Sequence, residues 1–442
     1  MMINEGRTPI ASTVKTLQPD MSIPQVKYSS AIPIELLQPI FQLLPQGELS
    51  RICALSHTYH EEIVRVLYRH VDLVGSTLAQ CTSWARRIVT RCDLAQLTLA
   101  LSLPGYISGQ DNSYGELVPY LAERLPKAMR AMANLTSLVI ARPPQPVLSS
   151  HTMGSFLDAK PFLGCSFRLK TFRSEFHWPD SDISPFIHEQ SQIQDLEMGG
   201  CWNLTPPLGS TPASLLPHLA VVSAGYRSRQ NLSFFTTIAS RPLTRLRICV
   251  FTYPFQDAIA GIIHTLAPAK ATVTHLELDD NRVFGYDATI SENYFVEALV
   301  LIARGFPKLK FLRFSKRIAL DVSTLLESFS AISLTSRPGQ PSPWDWLELP
   351  RALSAFEGLE TLVLDVRDGE RTGKGARDRS RGFAQRCMAS CPTLRCLANT
   401  GPAPLESGTA PQYISFTRTP GSDSSIQISS LKALDKSAWR DA

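Results

Sequence analysis

Two histidines near the N-terminus are the first residues whose spacing could bind a metal ion. His57 and His60 lie three residues apart, and Glu61 and Glu62 follow them directly. A helical H-E-x-x-H site binds zinc through two histidines four residues apart, with the glutamate as general base. Val64 occupies the place of the second histidine. The sequence therefore predicts no zinc site here, and we expect both histidines to be partly exposed helix residues.

The cysteines offer no better set of ligands. The chain has nine of them, scattered along its length, and the densest group is Cys387, Cys391 and Cys396. This group has no C-x-x-C pair and no neighbouring histidine, whereas a zinc site needs four tightly spaced ligands. We expect no metal and no disulfide framework, with most cysteines acting as buried apolar residues.

One basic, glycine-containing segment has some likeness to a phosphate-binding loop. The spacing from Gly369 to Lys374 is one residue short, and Gly375 stands where a serine or threonine would bind magnesium. Residues 367–386 carry seven basic and three acidic side chains, which predicts an exposed loop. Since there is no G-x-S-x-G motif either, the sequence predicts no catalytic residue, no cofactor and no enzymatic activity.

The composition excludes several classes of protein. The 442 residues include 44 basic and 39 acidic side chains, a net charge of +5, and 44% are hydrophobic. The chain is too apolar to be disordered throughout, and it lacks the concentrated basic patch of a nucleic-acid-binding protein. Its longest apolar run, residues 298–303, is far shorter than the ~20 residues of a membrane span. With no signal-peptide pattern, we expect a cytoplasmic or nuclear protein, or both, without membrane or nucleic-acid partners.

Lines of the form Leu-x-x-Leu-x-apolar recur through the middle of the chain. The line from Val273 to Asn281 matches the longer pattern L-x-x-L-x-L-x-x-N, and proline precedes several lines where a helix would end. Residues 90–400 thus resemble a degenerate leucine-rich-repeat array. The resemblance implies an α/β solenoid with a curved parallel sheet and outer helices; the alternative is an ordinary α/β domain with buried strands. The lines begin at Leu94, Leu135, Leu169, Ile193, Leu219, Leu243, Val273, Leu309, Leu359 and Leu394.

In such an array, the residues between the apolar positions face outward on the inner side of the sheet. We expect a target protein to contact such residues. Trp344 and Trp346, in the proline-rich and loop-like segment 334–350, are further candidates because aromatic residues often anchor partners; alternatively they pack on the repeats. Asp279 and Asp280 predict a solvated turn. The candidate target-binding residues are Gln194, Asp195, Arg245, His275, Trp344 and Trp346.

Residues 31–73 form a dense, mostly helical and strongly apolar block. Pro33 suits the first position of a helix, and a break at residues 45–47 separates this helix from two further helical stretches. A helical block of this size cannot bury all of its leucine and isoleucine side chains within itself. We therefore expect it to dock on another protein or on the adjacent repeats.

The order of residues in this block resembles the F-box family. The matching residues are Ile32-Pro33, Glu35-Leu36-Leu37, Ile40-Phe41, Leu43-Leu44, Leu49, Leu55-Ser56, Tyr59 and Leu67-Tyr68. The resemblance implies a three-helix motif that binds the Skp1 adaptor of a cullin–RING ubiquitin ligase. Pro39 departs from the pattern and predicts a kink. The implied adaptor contacts are Pro33, Leu36, Leu37, Ile40, Phe41, Leu44, Leu49 and Ile52.

The expected organisation has four parts. They are a flexible tail at 1–29, an F-box-like motif at 30–75, a leucine-rich-repeat-like solenoid at 76–410, and a C-terminal cap or tail at 411–442 with extended pieces at 413–418 and 425–431. The implied function is that of a substrate-recognition adaptor, which binds a Skp1-type adaptor through the F-box and an unknown target protein through the repeats. The alternative is a repeat-type binding scaffold without a ligase link.

Overall fold

The computed structural model describes most of the chain as two compact units, Met1–Val66 and Leu67–Ala442. The predicted tail 1–29, the tryptophans Trp344 and Trp346, and Asn281 lie outside the described residues. The described ranges are 33–107, 119–141, 155–157, 159–176, 180–201, 215–228, 231–252, 255–280, 292–316, 347–365, 374–400, 413–418 and 426–431.

The first unit is helical, as its apolar pattern predicts. It contains α1 (Ile34–Gln42), α2 (Gln46–Ile52) and the beginning of α3 (His57–Arg69). Pro33 and Pro45 directly precede α1 and α2, where the fixed φ of proline suits the start of a helix. The Ser56 hydroxyl accepts a hydrogen bond from the main-chain N–H of Tyr59 at 3.1 Å, and so caps the start of α3.

The second unit alternates strands with helices. In chain order its described elements are β1 (His70–Asp72), α4 (Leu78–Thr90), α5 (Cys92–Leu97), β2 (Ala100–Pro104), β3 (Tyr106–Ile107), α6 (Leu125–Ala131), β4 (Ser137–Ala141), β5 (Ser155–Phe156), β6 (Thr171–Ser174), α7 (Asp180–Glu189), β7 (Asp195–Cys201), β8 (Val221–Tyr226), α8 (Leu232–Ile238), β9 (Arg245–Val250), α9 (Phe255–Thr265), β10 (His275–Asp280), α10 (Glu292–Gly305), β11 (Phe311–Lys316), α11 (Glu348–Ala352), β12 (Thr361–Asp365), α12 (Lys374–Ser390), β13 (Cys396–Thr400), β14 (Tyr413–Arg418) and β15 (Ile426–Leu431).

Thirteen strands form one sheet in nearly sequential order. The order is β1-β2-β4-β6 and then β7 to β15, while β3 and β5 form a separate antiparallel pair. All neighbours are parallel except β13–β14 and β14–β15, which are antiparallel. The sheet is open and uncurled, unlike the curved sheet that the repeat resemblance implies. Because the predicted lines lie 24 to 50 residues apart, the segments between strands do not supply the constant rotation per repeat that bends a regular array.

Nine of the ten predicted lines coincide with strands of this sheet. Each strand begins two residues after the first residue of its line, as Ser137 follows Leu135 and His275 follows Val273. The first residue of every one of these lines is buried, because it turns into the space beneath the sheet. The C-terminal strands β14 and β15 also match the two predicted extended pieces.

The line predicted at Leu94 is wrong, because residues 92–97 form the helix α5. The strand of this repeat is β2, and Thr98 occupies the position that the other lines give to an apolar residue. The Thr98 side chain is fully buried, and its hydroxyl donates to the Leu94 carbonyl oxygen at 3.2 Å. Satisfying the hydroxyl within the preceding helix allows a polar residue to replace the expected leucine.

Two local expectations are also corrected. Residues 374–390, predicted largely as an exposed loop, form the helix α12, whose face carrying Phe383 and Cys387 is buried. Burial of this apolar face outweighs the highly charged first half of the segment. Asp279 and Asp280, predicted as a solvated turn, are buried residues of β10.

Successive strands are joined by a repeated main-chain contact just before each strand. The Thr244 carbonyl oxygen accepts hydrogen bonds from the N–H groups of Thr274 at 2.9 Å and His275 at 3.1 Å. The Thr274 carbonyl oxygen accepts from Lys310 and Phe311 in the same way. This shared carbonyl fixes the register of each strand relative to its neighbour.

The helices between strands form a second layer. Consecutive helices from α8 to α12 pack on one another in series, as expected when parallel strands are joined by crossovers of one hand. Within the described ranges, no helix has both the length and the apolar character needed to cross a membrane.

We predict that the sheet tolerates alanine poorly at Gly199 in β7. A Cβ atom there would clash with the main-chain carbonyl of Glu175, so the backbone must shift. We expect Gly199→Ala to destabilise the protein by about 1–3 kcal/mol. The control is Gly261→Ala in α9, where the nearest atom is 3.9 Å away and we expect a gain of up to ~1 kcal/mol. Thermal unfolding followed by circular dichroism measures both, and equal melting temperatures would contradict the expectation.

Candidate functional site

The helical unit has an interior built from one side of α1. Leu37, Phe41, Leu49 and Ile63 are buried, and the rings of Phe41 and Tyr59 meet edge to face at 5.8 Å. Three of these side chains, Leu37, Phe41 and Leu49, are among the predicted adaptor contacts. Since their side chains pack inside the unit, they hold α1 in place and are not available at its surface.

A second face of α1, about 100° around the helix from the buried one, exposes apolar side chains and continues into Leu43 at its C-terminal end. Leu36, Ile40 and Leu43 follow each other at four- and three-residue steps, with exposed fractions of 52%, 40% and 85%. This spacing places them on one face of the helix. We call these three residues the α1 stripe. Of the other predicted contacts, Pro33 is exposed, and Leu44 and Ile52 are half-buried.

A buried carboxylate fixes α1 against α3. Glu62 is buried, and its two carboxylate oxygens accept hydrogen bonds from Gln38 Nε2 at 3.1 Å and from Arg65 Nη1 at 3.0 Å. Gln38 lies on α1, whereas Glu62 and Arg65 lie on α3. A buried carboxylate is retained only when it is hydrogen-bonded and paired. This contact therefore joins α1 to α3 in the orientation that also buries Leu37 and Phe41.

On the sheet of the second unit, the structure brings three predicted target-binding residues into one row. Asp195, Arg245 and His275 occupy equivalent positions on β7, β9 and β10, with Val221 of β8 between the first two. All three are half-buried, and the His275 ring stacks on Phe311 of β11 at 5.7 Å. Gln194 is exposed just before β7. We call Asp195, Val221, Arg245, His275 and Phe311 the first row.

A second row lies two residues further along the same strands, on the same face of the sheet. Its members are Glu197, Ser223, Arg247, Glu277 and Arg313, in register across β7 to β11. The sequence interpretation missed this row. The fifth residue of each line carries it, and the charges there alternate in sign from Arg247 through Glu277 to Arg313.

Ion pairs connect the second row across the strands. Arg247 Nη2 lies 2.6 Å from Asp279 Oδ2, and Arg247 Nε lies 3.4 Å from Glu277 Oε1. Glu277 Oε1 also lies 3.4 Å from Arg313 Nη1. The Glu277 and Asp279 side chains are fully buried, and both arginines are almost so. Each of these groups faces an opposite charge on a neighbouring strand, which offsets the cost of removing it from water.

The electrostatics of Arg247 follow from these neighbours. Burial alone would lower the pKa of its guanidinium, but Asp279 and Glu277 outweigh this effect and raise the pKa above its ordinary value. Arg247 is therefore a permanent cation that holds two carboxylates together. Within the described ranges, no group of three or more His, Cys, Asp or Glu side chains is arranged to hold a metal ion.

The two rows differ in what they can do. Arg247, Glu277 and Arg313 of the second row are buried and pair with each other, so they belong to the interior of the sheet and are not available to a partner. In the first row, Asp195, Arg245 and His275 are only half-buried. They place charges of both signs and an imidazole on the sheet, and the buried Phe311 ring lies against His275. Such a surface suits recognition of another protein, in which charged and aromatic groups are placed by a rigid scaffold.

We predict that Arg247 is essential for stability. Arg247→Met leaves two buried carboxylates without their shared cation, so we expect a loss of about 3–5 kcal/mol. The control is Arg173→Met, because Arg173 pairs with Asp195 at 2.6 Å but is about one-third exposed, and we expect a loss of about 1 kcal/mol or less. Urea denaturation of both variants tests this. If the two substitutions lowered the free energy of unfolding equally, burial of the ion pair would not be the reason why Arg247 contributes to stability.

Two candidate surfaces thus result, the α1 stripe in the helical unit and the first row on the sheet. The α1 stripe is exposed, the first row is half-buried apart from the buried Phe311, and buried residues support both. Comparison with known proteins finds no family model that matches the chain and no curated protein with significant similarity to it.

Proposed function

We propose that this protein is a non-enzymatic adaptor that directs a target protein to a cullin–RING ubiquitin ligase. In this proposal the helical unit is an F-box that binds a Skp1-type adaptor, and the sheet-containing unit is a leucine-rich-repeat array that binds the target. The adaptor acts by holding the target close to the ligase's transferring enzyme, which raises its effective concentration there.

One observation carries the proposal, namely the exposed α1 stripe. Leu36 and Ile40 are exposed apolar residues at positions that the F-box resemblance assigns to the adaptor interface. Burying a leucine or isoleucine side chain in a partner's groove is worth about 1.5–3 kcal/mol. Three such residues on one helical face are the typical anchors for helix-in-groove recognition.

The residues of the helical unit refine the interface that the resemblance implies. Leu43 is the most exposed residue of the stripe, and it belongs to the Leu43-Leu44 pair of the motif. We therefore assign the adaptor contact to Leu36, Ile40 and Leu43, with Pro33 beside them. Leu37, Phe41 and Leu49 support the interface from the interior of the unit.

The regular strands of the second unit support the repeat part of the proposal. Nine lines with buried apolar residues at their first position become adjacent strands of one sheet. We propose that the target binds at the first row, because Asp195, Arg245 and His275 are partly exposed there and share one row of the sheet. A repeat-type scaffold without a ligase link is the second candidate, since it needs the same row but no α1 stripe.

We predict that single charges in the α1 stripe abolish adaptor binding. Leu36→Asp and Ile40→Asp place a carboxylate in the apolar contact, so we expect at least a roughly tenfold loss of affinity, about 1.4 kcal/mol or more. The measurement is capture of a Skp1-type adaptor on the tagged full-length chain after co-expression, with thermal unfolding as a check of integrity. Phe41→Asp is unsuitable because Phe41 is buried and the change would unfold the unit.

The matched control is Leu347→Asp, which makes the same change at a leucine with an exposed fraction of 61% in the second unit. We expect this variant to capture the adaptor as the wild type does. If the intact wild-type chain captures no Skp1-type adaptor, the ligase proposal fails and the scaffold function remains. If the stripe variants bind as well as Leu347→Asp, the interface is misassigned.

A further inference from the structure

A thiol and an imidazole meet in the helical unit, and neither belongs to the α1 stripe. Cys53 Sγ lies 3.0 Å from His60 Nδ1. Cys53 is the residue at the C-terminal end of α2, and His60 lies in the first turns of α3. The connection between the two helices spans only four residues, 53–56, so the fold holds the two side chains together.

The other described thiols have different surroundings. Cys81 and Cys165 are buried, and burial raises the pKa of each thiol to about 11, which keeps both protonated. The half-buried Cys249 donates to Asp279 Oδ2 at 3.6 Å, and Cys396 lies 3.6 Å from the Ser415 hydroxyl. Neither oxygen neighbour is a base suited to taking a proton from a thiol at neutral pH.

Cys53 has a base beside it and is also accessible to solvent. Its side chain is partly exposed, and His60 is exposed. A neutral imidazole in the tautomer with an unprotonated Nδ1 can accept the thiol proton, and the thiolate is the reactive form of cysteine. A nucleophile within hydrogen-bonding distance of a base is the arrangement that activates a side chain.

We propose that Cys53 is a modification site for peroxides and other soft electrophiles, with His60 as its base. His60 Nδ1 accepts the thiol proton, and the sulfur attacks one oxygen of hydrogen peroxide. The S–O bond forms as the O–O bond breaks, and the leaving hydroxide takes the proton from His60 to become water. The sulfur loses two electrons to the peroxide, and the products are one sulfenic acid and one water.

Iodoacetamide labelling of the full-length protein tests the reactivity. Mass spectrometry of the peptides gives the alkylation rate of Cys53 relative to Cys92, an exposed thiol of the same molecule. We expect Cys53 to react about tenfold faster at neutral pH, less than the ~10²–10⁴-fold effect of enzymatic bases because the pair is open to solvent. If exposure alone decided the rates, Cys92 would react faster, and that result would overturn the proposal.

The substitution His60→Asn distinguishes the effect of the base from the effect of the other surroundings of Cys53. It retains a polar group but removes the base, so we expect the Cys53 rate to fall about tenfold toward that of Cys92. Because His60 is exposed, the fold should be retained, and an unchanged circular-dichroism spectrum and melting temperature would report this. An unchanged Cys53 rate in His60→Asn would overturn the role of His60.

Peroxide treatment followed by dimedone, which traps sulfenic acids, tests the oxidation itself. We expect a dimedone adduct on the Cys53 peptide of the wild type, and at least a severalfold weaker adduct in His60→Asn. Cys53→Ser provides the negative control, and its peptide should carry no adduct. Adduct on Cys92 but not on Cys53 would overturn the assignment of the site.

Discussion

The second unit depends on one main-chain carbonyl oxygen in each repeat. At nine successive places, from Leu99 to Glu360, this oxygen accepts two N–H groups from the segment that opens the next strand. The contact involves only adjacent repeats, so segments of any length can be inserted between two strands without disturbing it. Threonine hydroxyls add a third hydrogen bond to some of these carbonyl oxygens, since Thr244 and Thr274 each donate to the carbonyl of the preceding repeat. Strand register is therefore set locally, repeat by repeat.

The buried charges are a consequence of this register. A shift of one residue between β9 and β10 would turn Glu277 to the opposite face and leave Arg247 facing an apolar residue. With the register held by the shared carbonyl, Arg247, Glu277 and Arg313 meet across neighbouring strands. Buried pairs of this kind contribute little net stability but penalise every alternative pairing. The ion pairs thus make the register specific, while the carbonyl contacts and the buried leucines supply the stability.

The sequence predicted those features of the fold that follow from the regular spacing of apolar residues along the chain. It missed those that depend on contacts between residues on different elements. The lines located nine strands because the apolar side chains repeat at fixed steps. The strand at Ala100 was missed because Thr98 replaces an apolar residue and satisfies its hydroxyl locally. The burial of Asp279 could not be predicted from one strand, since its counter-charge, Arg247, comes from another. Aligning the fifth residue of every line would have exposed the charge alternation, which is visible only when lines are compared with each other.

In the helical unit, the apolar pattern alone does not show which residues are buried, because two adjacent apolar residues can lie in different surroundings. Leu36 points outward and Leu37 inward, and the same division recurs at Ile40 and Phe41. A helix rotates about 100° per residue, so neighbours in sequence cannot share one face. The high apolar content of the motif therefore has two destinations, because one residue of each pair is buried in the interior and the other is exposed. The buried apolar side chains orient α1, and Glu62 of α3 supports the same orientation through its hydrogen bond with Gln38. No apolar pattern in the sequence reveals this polar contact.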